Sequence, residues 1–161
     1  MNKQETYEHL RSRGIEFEIC EHPAVYTMEE VARIELPHPE AEAKNLFVRG
    51  HKKLHYYLIS VKGDKRVDLK EIRDEFGLRS LSFATPEELM EIMGLIPGSV
   101  SPLGLLNDAE LKVTFFLDSE FEDDDLIGVH PNENTASIYL RTSDLLSVIR
   151  EHGNQIRRLD L

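Results

Sequence analysis

The chain has 161 residues, 40% hydrophobic and 30% charged, no tryptophan, and a formal net charge of −11. That length can bury one core without metal or disulfide support. The single cysteine, Cys20, excludes a disulfide framework and a CxxC metal signature, and the acidic balance excludes bulk, sequence-blind nucleic-acid binding.

One cysteine fits a reducing compartment, and no apolar run approaches membrane-spanning length. The N-terminus leads into an amphipathic pattern rather than an apolar signal region. The expectation is a soluble cytoplasmic protein, one domain over 1–161, with no membrane partner.

Asn2 with Glu5 three residues later predicts a helix start, Gly14 its stop, and Tyr7 and Leu10 its buried side. Ile15, Phe17 and Ile19 alternate with Glu16 and Glu18, which predicts a half-buried strand with Cys20 on the opposite face. Thr27-Met28-Glu29-Glu30 reads as a capping box opening a short helix to about Glu35. Residues 44–49 and 54–61 predict a hairpin about Gly50-His51-Lys52-Lys53, its second strand apolar enough to be covered on both faces.

Asp68 then caps a helix carrying Leu69, Ile72 and Phe76, and 81–83 is a short strand. Thr85-Pro86-Glu87-Glu88 opens a helix burying Leu89, Met90, Ile92 and Met93, which Gly94 ends. Residues 112–117, 126–129 and 136–140 are strands, and Thr142 caps a last helix using Leu145, Leu146, Val148 and Ile149. Between them, 118–125 holds six acids in eight residues; without the glycine and ligand spacing of a calcium loop, it is expected to be a solvated surface segment. Helices alternating with hairpin-like strand pairs predict a mixed α/β fold, a single curved, largely antiparallel mixed sheet with helices packed outside.

Charge is uneven. Residues 49–73 carry eight Lys or Arg against three acids, so that segment is +5 and the rest −16. This suits either a solvated hairpin and helix face or a partner offering a few phosphates at one place.

The seven histidines show no zinc spacing, and no Walker loop, GxGxxG or GxSxG elbow is present. Cys20 and His22 share a strand face, so a thiol–imidazole pair is conceivable, as is a buried structural cysteine. Three polar clusters remain. Lys44-Asn45 heads an apolar strand, where a compact cation can hold a phosphate or polarise a carbonyl. Pro97-Gly98-Ser99-Val100-Ser101-Pro102 is either a tight connector or a loop presenting backbone N–H groups to a small ligand. Gly128-Val129-His130-Pro131 with Asn134-Thr135-Ala136-Ser137 is the third, with His130 able to donate or accept a proton near neutral pH.

In this order, with Leu81-Ser82-Phe83-Ala84 and Leu106-Asn107-Asp108 between them, these blocks resemble the YbaK/ProX family, free-standing relatives of the editing domain of some prolyl-tRNA synthetases. The resemblance runs from about Glu21 to the C-terminus and is strongest toward the ProX, or PrdX, branch. It implies trans-editing, the hydrolysis of the ester in mischarged Ala-tRNA(Pro). Cys-tRNA(Pro) hydrolysis of the YbaK type is the alternative within the class, and a non-catalytic tRNA-binding module the alternative outside it.

The implied partners are the 3′ acceptor end of aminoacylated tRNA(Pro) and, further off, prolyl-tRNA synthetase. No metal or cofactor is implied, since water attacks with help from a 3′-terminal ribose hydroxyl. By the same resemblance Lys44 contacts the terminal adenosine's phosphate or the ester carbonyl, and Gly98 and Ser99 N–H groups sit near the carbonyl oxygen. Asn45, Val100, Ser101, Pro102, Gly128 and His130 line the substrate, His130 positioning it. Two places depart from the family pattern, Glu40-Ala41-Glu42-Ala43 before the Lys44 block and Gly128-Val129 before His130, and both bear on amino-acid specificity. Such an enzyme is useful because a proline pocket rejects the smaller alanine by only about 1–3 kcal/mol.

Overall fold

A computed structural model of the chain describes residues 1–24 and 36–161. Its elements are α1 (Lys3–Ser12), β1 (Glu18–Glu21), β2 (Ala43–Arg49), β3 (Tyr56–Lys62), α2 (Leu69–Glu75), β4 (Ser82–Phe83), α3 (Pro86–Met93), β5 (Val113–Asp118), β6 (Leu126–Val129), β7 (Ala136–Arg141), α4 (Thr142–His152) and β8 (Ile156–Leu159). Short 3₁₀ turns lie at Pro39–Ala41, His51–Lys53 and Pro102–Asn107. The helix expected from Thr27 lies outside the described residues. No helix among them is long and apolar enough to cross a membrane.

The helix starts follow the local chemistry. Asn2 and Thr85 each accept from the backbone N–H three residues on, and Glu5 and Glu88 reach back to the cap N–H, closing both capping boxes. Asp68 caps α2 through Lys70 N–H. Thr142 is a correction: Arg141 holds the cap position, and Thr142 opens the helix with its N–H and hydroxyl both donating to the Asp125 carbonyl, at 2.8 and 2.9 Å.

The mixed α/β architecture is as expected, but the strands pair as two sheets rather than one. β4-β2-β3-β5-β8 form a five-stranded mixed sheet, and β1-β7-β6 a three-stranded antiparallel one. β3, the most apolar strand, pairs antiparallel with β2 and parallel with β5, in the centre of the larger sheet. Its alternate residues feed two cores. Leu58 joins Phe47, Phe115, Ile127, Ile138 and Ile149 between the sheets, while Ile59 and Val61 join Val48, Phe116 and Ile72 beneath α2. β6 lies against β2 and the turn before it, so the two sheets abut along a seam without sharing a ladder.

Three further expectations change, and one strand is added. Ile19 is exposed and Cys20 half-buried in β1, the edge strand of the three-stranded sheet. Met90 is exposed, one position off the buried stripe of α3. The acidic run 118–125 is not wholly solvated, since Asp118 and Phe121 are fully buried. Asp118 accepts from Lys62 N–H at 3.0 Å, Glu120 N–H at 3.0 Å and Lys65 Nζ at 2.9 Å. Burial pushes that carboxyl's pKa up, yet these donors outweigh it and hold it below the ordinary aspartate value. Finally, β8 (Ile156–Leu159) pairs in parallel with β5, an edge strand too polar to read from Ile156-Arg157-Arg158-Leu159.

Candidate functional site

The Pro- and Gly-rich stretch is both a connector and a junction. Ile96-Pro97-Gly98-Ser99 forms a turn closed by Ser99 N–H donating to the Ile96 carbonyl at 3.1 Å, with Gly98 at φ 93°. Proline second and a positive-φ glycine third are what a type II turn requires, so Gly98 is explained locally. Of the two amides expected to face an acyl oxygen, that of Ser99 is therefore committed to the turn. The Gly98 N–H makes no hydrogen bond with a described residue.

Beyond the turn the loop is tied down on two sides. The Ser101 side chain, fully buried, accepts from Leu103 N–H at 3.1 Å and donates to the His130 carbonyl at 2.5 Å. Pro102, also buried, begins the 3₁₀ turn that follows. The Val100 carbonyl accepts from Asn45 Nδ2 at 3.4 Å, and Asn45 Oδ1 accepts from the Ser60 hydroxyl across the β2–β3 ladder. A chain of hydrogen bonds thus joins β3, β2, the loop and the end of β6.

Lys44 sits beside Asn45 but on the other face of β2, since neighbouring strand residues alternate. It is half-buried and has no ion pair or hydrogen bond with a described residue. Its face is the one from which Leu46 and Val48 pack beneath α2, on a strand that lies against β6. The same alternation puts Gly128 and His130 on the face of the small sheet away from the central core, with Tyr139 opposite Gly128 and Ser137 opposite Cys20.

Gly128 is required by close approach. A Cβ there would lie 2.9 Å from Tyr139 Cε1 and 3.4 Å from the Ala41 carbonyl oxygen. The absent side chain lets the Tyr139 ring lie across the seam, where its hydroxyl donates to Glu42 Oε1 at 3.2 Å. Burial raises the pKa of Glu42; the Tyr139 hydroxyl and nearby His22 oppose it. Burial and then the Glu42 charge push the Tyr139 phenol up as well, so it remains a donor.

His130 Nδ1 lies 3.1 Å from the Ala136 carbonyl oxygen, which can only accept, so Nδ1 carries the proton and neutral His130 presents the Nε2 lone pair. Burial lowers its pKa, the Ala136 carbonyl opposes this and His22 adds to it. His130 is therefore neutral at pH 7. His22 places Nε2 3.2 Å from the Ser137 hydroxyl and Nδ1 2.9 Å from the Pro23 carbonyl. Both nitrogens are engaged, so the thiol–imidazole pair with Cys20 does not form.

Hydrogen bonds thus bring together residues of all three expected clusters, Asn45, Val100, Ser101 and His130, while Lys44 lies on the other face of β2 from Asn45. Glu42, in the segment expected to bear on amino-acid specificity, meets Tyr139 at the seam; Tyr139 was not foreseen, since only its pairing opposite Gly128 brings it there. A cleft of about 650 Å³, lined in part by Phe17, Glu18, Leu126, Tyr139, Arg141 and Asp144, opens at the end of the Tyr139 face away from His130 and contains none of the expected residues.

The basic segment is partly spent internally. Arg49 pairs with Glu88 at 3.2 Å, Lys65 with Asp118 at 2.9 Å and Arg73 with Asp74 at 3.0 Å, while Lys62 lies 4.2 Å over the Phe121 ring.

A family model, the aminoacyl-tRNA editing domain, matches residues 22–148. The Prolyl-tRNA editing protein ProX of Acetoanaerobium sticklandii is 34% identical over 159 residues, 99% of this chain and 97% of that protein. The Prolyl-tRNA synthetase associated domain-containing protein 1 of Bos taurus is 32% identical over 153 residues, 90% of this chain and 86% of that protein. A crystal structure of a candidate trans-editing enzyme for prolyl-tRNA synthetase superposes with a TM-score of 0.71 at 26% identity, covering 99% of this chain and 97% of that one.

Proposed function

The chain belongs to the aminoacyl-tRNA editing domain family, and from that premise we propose that it is a trans-editing deacylase that hydrolyses the ester of Ala-tRNA(Pro). Near-full-length similarity to a prolyl-tRNA editing protein supports the deacylase class. The observation that carries the assignment is the hydrogen-bonded junction of Asn45, Val100, Ser101 and His130, which fixes a small-residue loop against the end of β6.

On this proposal 1–161 acts as one editing domain, because α1 and β8 pack on the cores that the matched segment builds. The ester lies at the seam, with Val100, Ser101 and Pro102 shaping the wall beside its side chain. Gly98 N–H is the donor left for the carbonyl oxygen once Ser99 N–H is committed to the turn. An aligned donor on a developing oxyanion contributes about 2.7–4 kcal/mol where measured.

Lys44, compact and without a partner among the described residues, is suited to the terminal phosphate or the ester carbonyl. Neutral His130 positions the attacking water or the ribose hydroxyl through Nε2. The reaction adds water across the acyl–oxygen bond, releasing alanine and the tRNA 3′ hydroxyl. Gly128 serves by letting Tyr139 close the seam. Prolyl-tRNA synthetase is a proposed working partner, since two of the similar proteins are named for it.

The test is incubation of the pure protein with alanyl, cysteinyl, seryl and prolyl esters of tRNA(Pro). Fastest loss of the alanyl ester is expected. Persistence of that ester overturns the proposal, and faster loss of the cysteinyl ester moves the substrate to Cys-tRNA(Pro).

A further inference from the structure

We propose that Glu42 binds the α-ammonium group of the aminoacyl ester and so makes the site selective for amino-acid over hydroxy-acid esters. The inference rests on the deacylase proposal and deepens it. An aminoacyl ester carries a cation two bonds from its carbonyl carbon, and an ammonium has donors only. A site holding that group in a half-dry seam needs an acceptor of opposite charge.

Glu42 is placed to supply it. Its backbone is extended, and it lies two residues before Lys44, so both side chains project from one face of the strand. Tyr139, which itself occupies the space kept open by Gly128, fixes Oε1. Oε2 makes no hydrogen bond with a described residue, and no cation among those residues pairs with Glu42. Burial leaves the carboxyl's pKa raised, the sign of an anion whose surroundings under-compensate it. A bound ammonium would restore that compensation. His22, 3.2 Å from the Ser137 hydroxyl on the Tyr139 face, bears electrostatically on both the Glu42 carboxyl and the His130 imidazole.

The substitution Glu42→Gln keeps the size and an acceptor for the Tyr139 hydroxyl while removing the charge. Wild type and E42Q are compared on alanyl-tRNA(Pro) and on lactyl-tRNA(Pro), the ester in which a hydroxyl replaces the ammonium. The expected result is a fall in kcat/KM of about tenfold on the alanyl ester, mostly in KM, with the lactyl ester changed less than about twofold. Glu42→Asp should recover part of the loss. An equal fall on both esters, or none on either, overturns the inference and leaves the deacylase proposal standing.

Binding supplies an arm that does not depend on turnover. Wild type is expected to bind 3′-alanylamino-3′-deoxyadenosine more tightly than its lactoyl counterpart, and E42Q to bind both alike. If wild type hydrolyses neither ester, the deacylase proposal fails, and this binding difference alone decides the role of Glu42.

Discussion

The two sheets differ in what covers them. β3 in the five-stranded sheet is buried on both faces, under the central core on one side and α2 on the other. The three-stranded sheet turns one face to the same central core, through Ile127, Val129, Ile138 and Leu140. Its other face carries Gly128, His130, Ser137 and Tyr139, whose hydroxyl reaches Glu42 just before β2. A layer packed on both sides has no room for a substrate or for polar groups without partners. The seam, where a ladder is missing and a glycine replaces a side chain, has both.

This contrast is open to attack by substitution. Phe115→Ala, in the interior strand β5 and fully buried, should cost about 3–5 kcal/mol in denaturant unfolding. Its activity per folded molecule should stay near wild type. A loss of turnover with unchanged stability would erase the division between a supporting and a working sheet.

Lys44→Ala should do the reverse, lowering kcat/KM on Ala-tRNA(Pro) on the order of 100-fold or more with an unchanged unfolding midpoint. Wild-type rates would remove Lys44 from the chemistry. Gly128→Ala should touch both properties, because its methyl meets the Tyr139 ring edge at 2.9 Å. A cost of about 1–3 kcal/mol is expected, together with a parallel fall in turnover as the seam opens.

His130 gives a subtler contrast through pH. Burial holds its folded-state pKa below the ordinary value, so the unfolded chain takes up that proton first as pH falls. The associated stability is fully present above about pH 6.5 and is lost as pH drops through that value toward the folded pKa. His130→Asn should flatten this acid-side slope in unfolding curves collected from pH 7.5 to 5. An unchanged slope would place the imidazole in water rather than in the seam.

The smallest effect belongs to the basic segment. Because Arg49, Lys65 and Arg73 already pair with acids, tRNA affinity should weaken with salt at a slope of only a few phosphates. A steep slope would show those pairs breaking on contact, and a flat one would remove the segment from the interface.

Much of this was legible before any coordinates. Asn2…Glu5 and Thr85…Glu88 announce their helices because a capping box closes within four residues. The run Tyr56-Tyr57-Leu58-Ile59 announces a doubly covered strand because both its faces are apolar. Lys44, the 98–102 loop and His130 stood out as polar breaks in apolar strands. Less legible were features whose cause lies across the fold. Asp118 reads as one more surface acid until Lys62 and Lys65 surround it, and Ile156-Arg157-Arg158-Leu159 becomes a strand only because β5 leaves an edge to pair with.

The sequence by itself determined the α/β class, most helix boundaries, and the three clusters that hold the candidate site, since these depend on interactions among near neighbours. Only the tertiary structure decided how the strands divide into two sheets and which residues meet at their seam. It put the Ser101 hydroxyl on the His130 carbonyl, 29 residues away, and the Tyr139 hydroxyl on Glu42, 97 residues away. It also reassigned the glycines, Gly98 to the geometry of a type II turn and Gly128 to the passage of a tyrosine ring. Such contacts are set by the packing of whole layers, which no local spacing records.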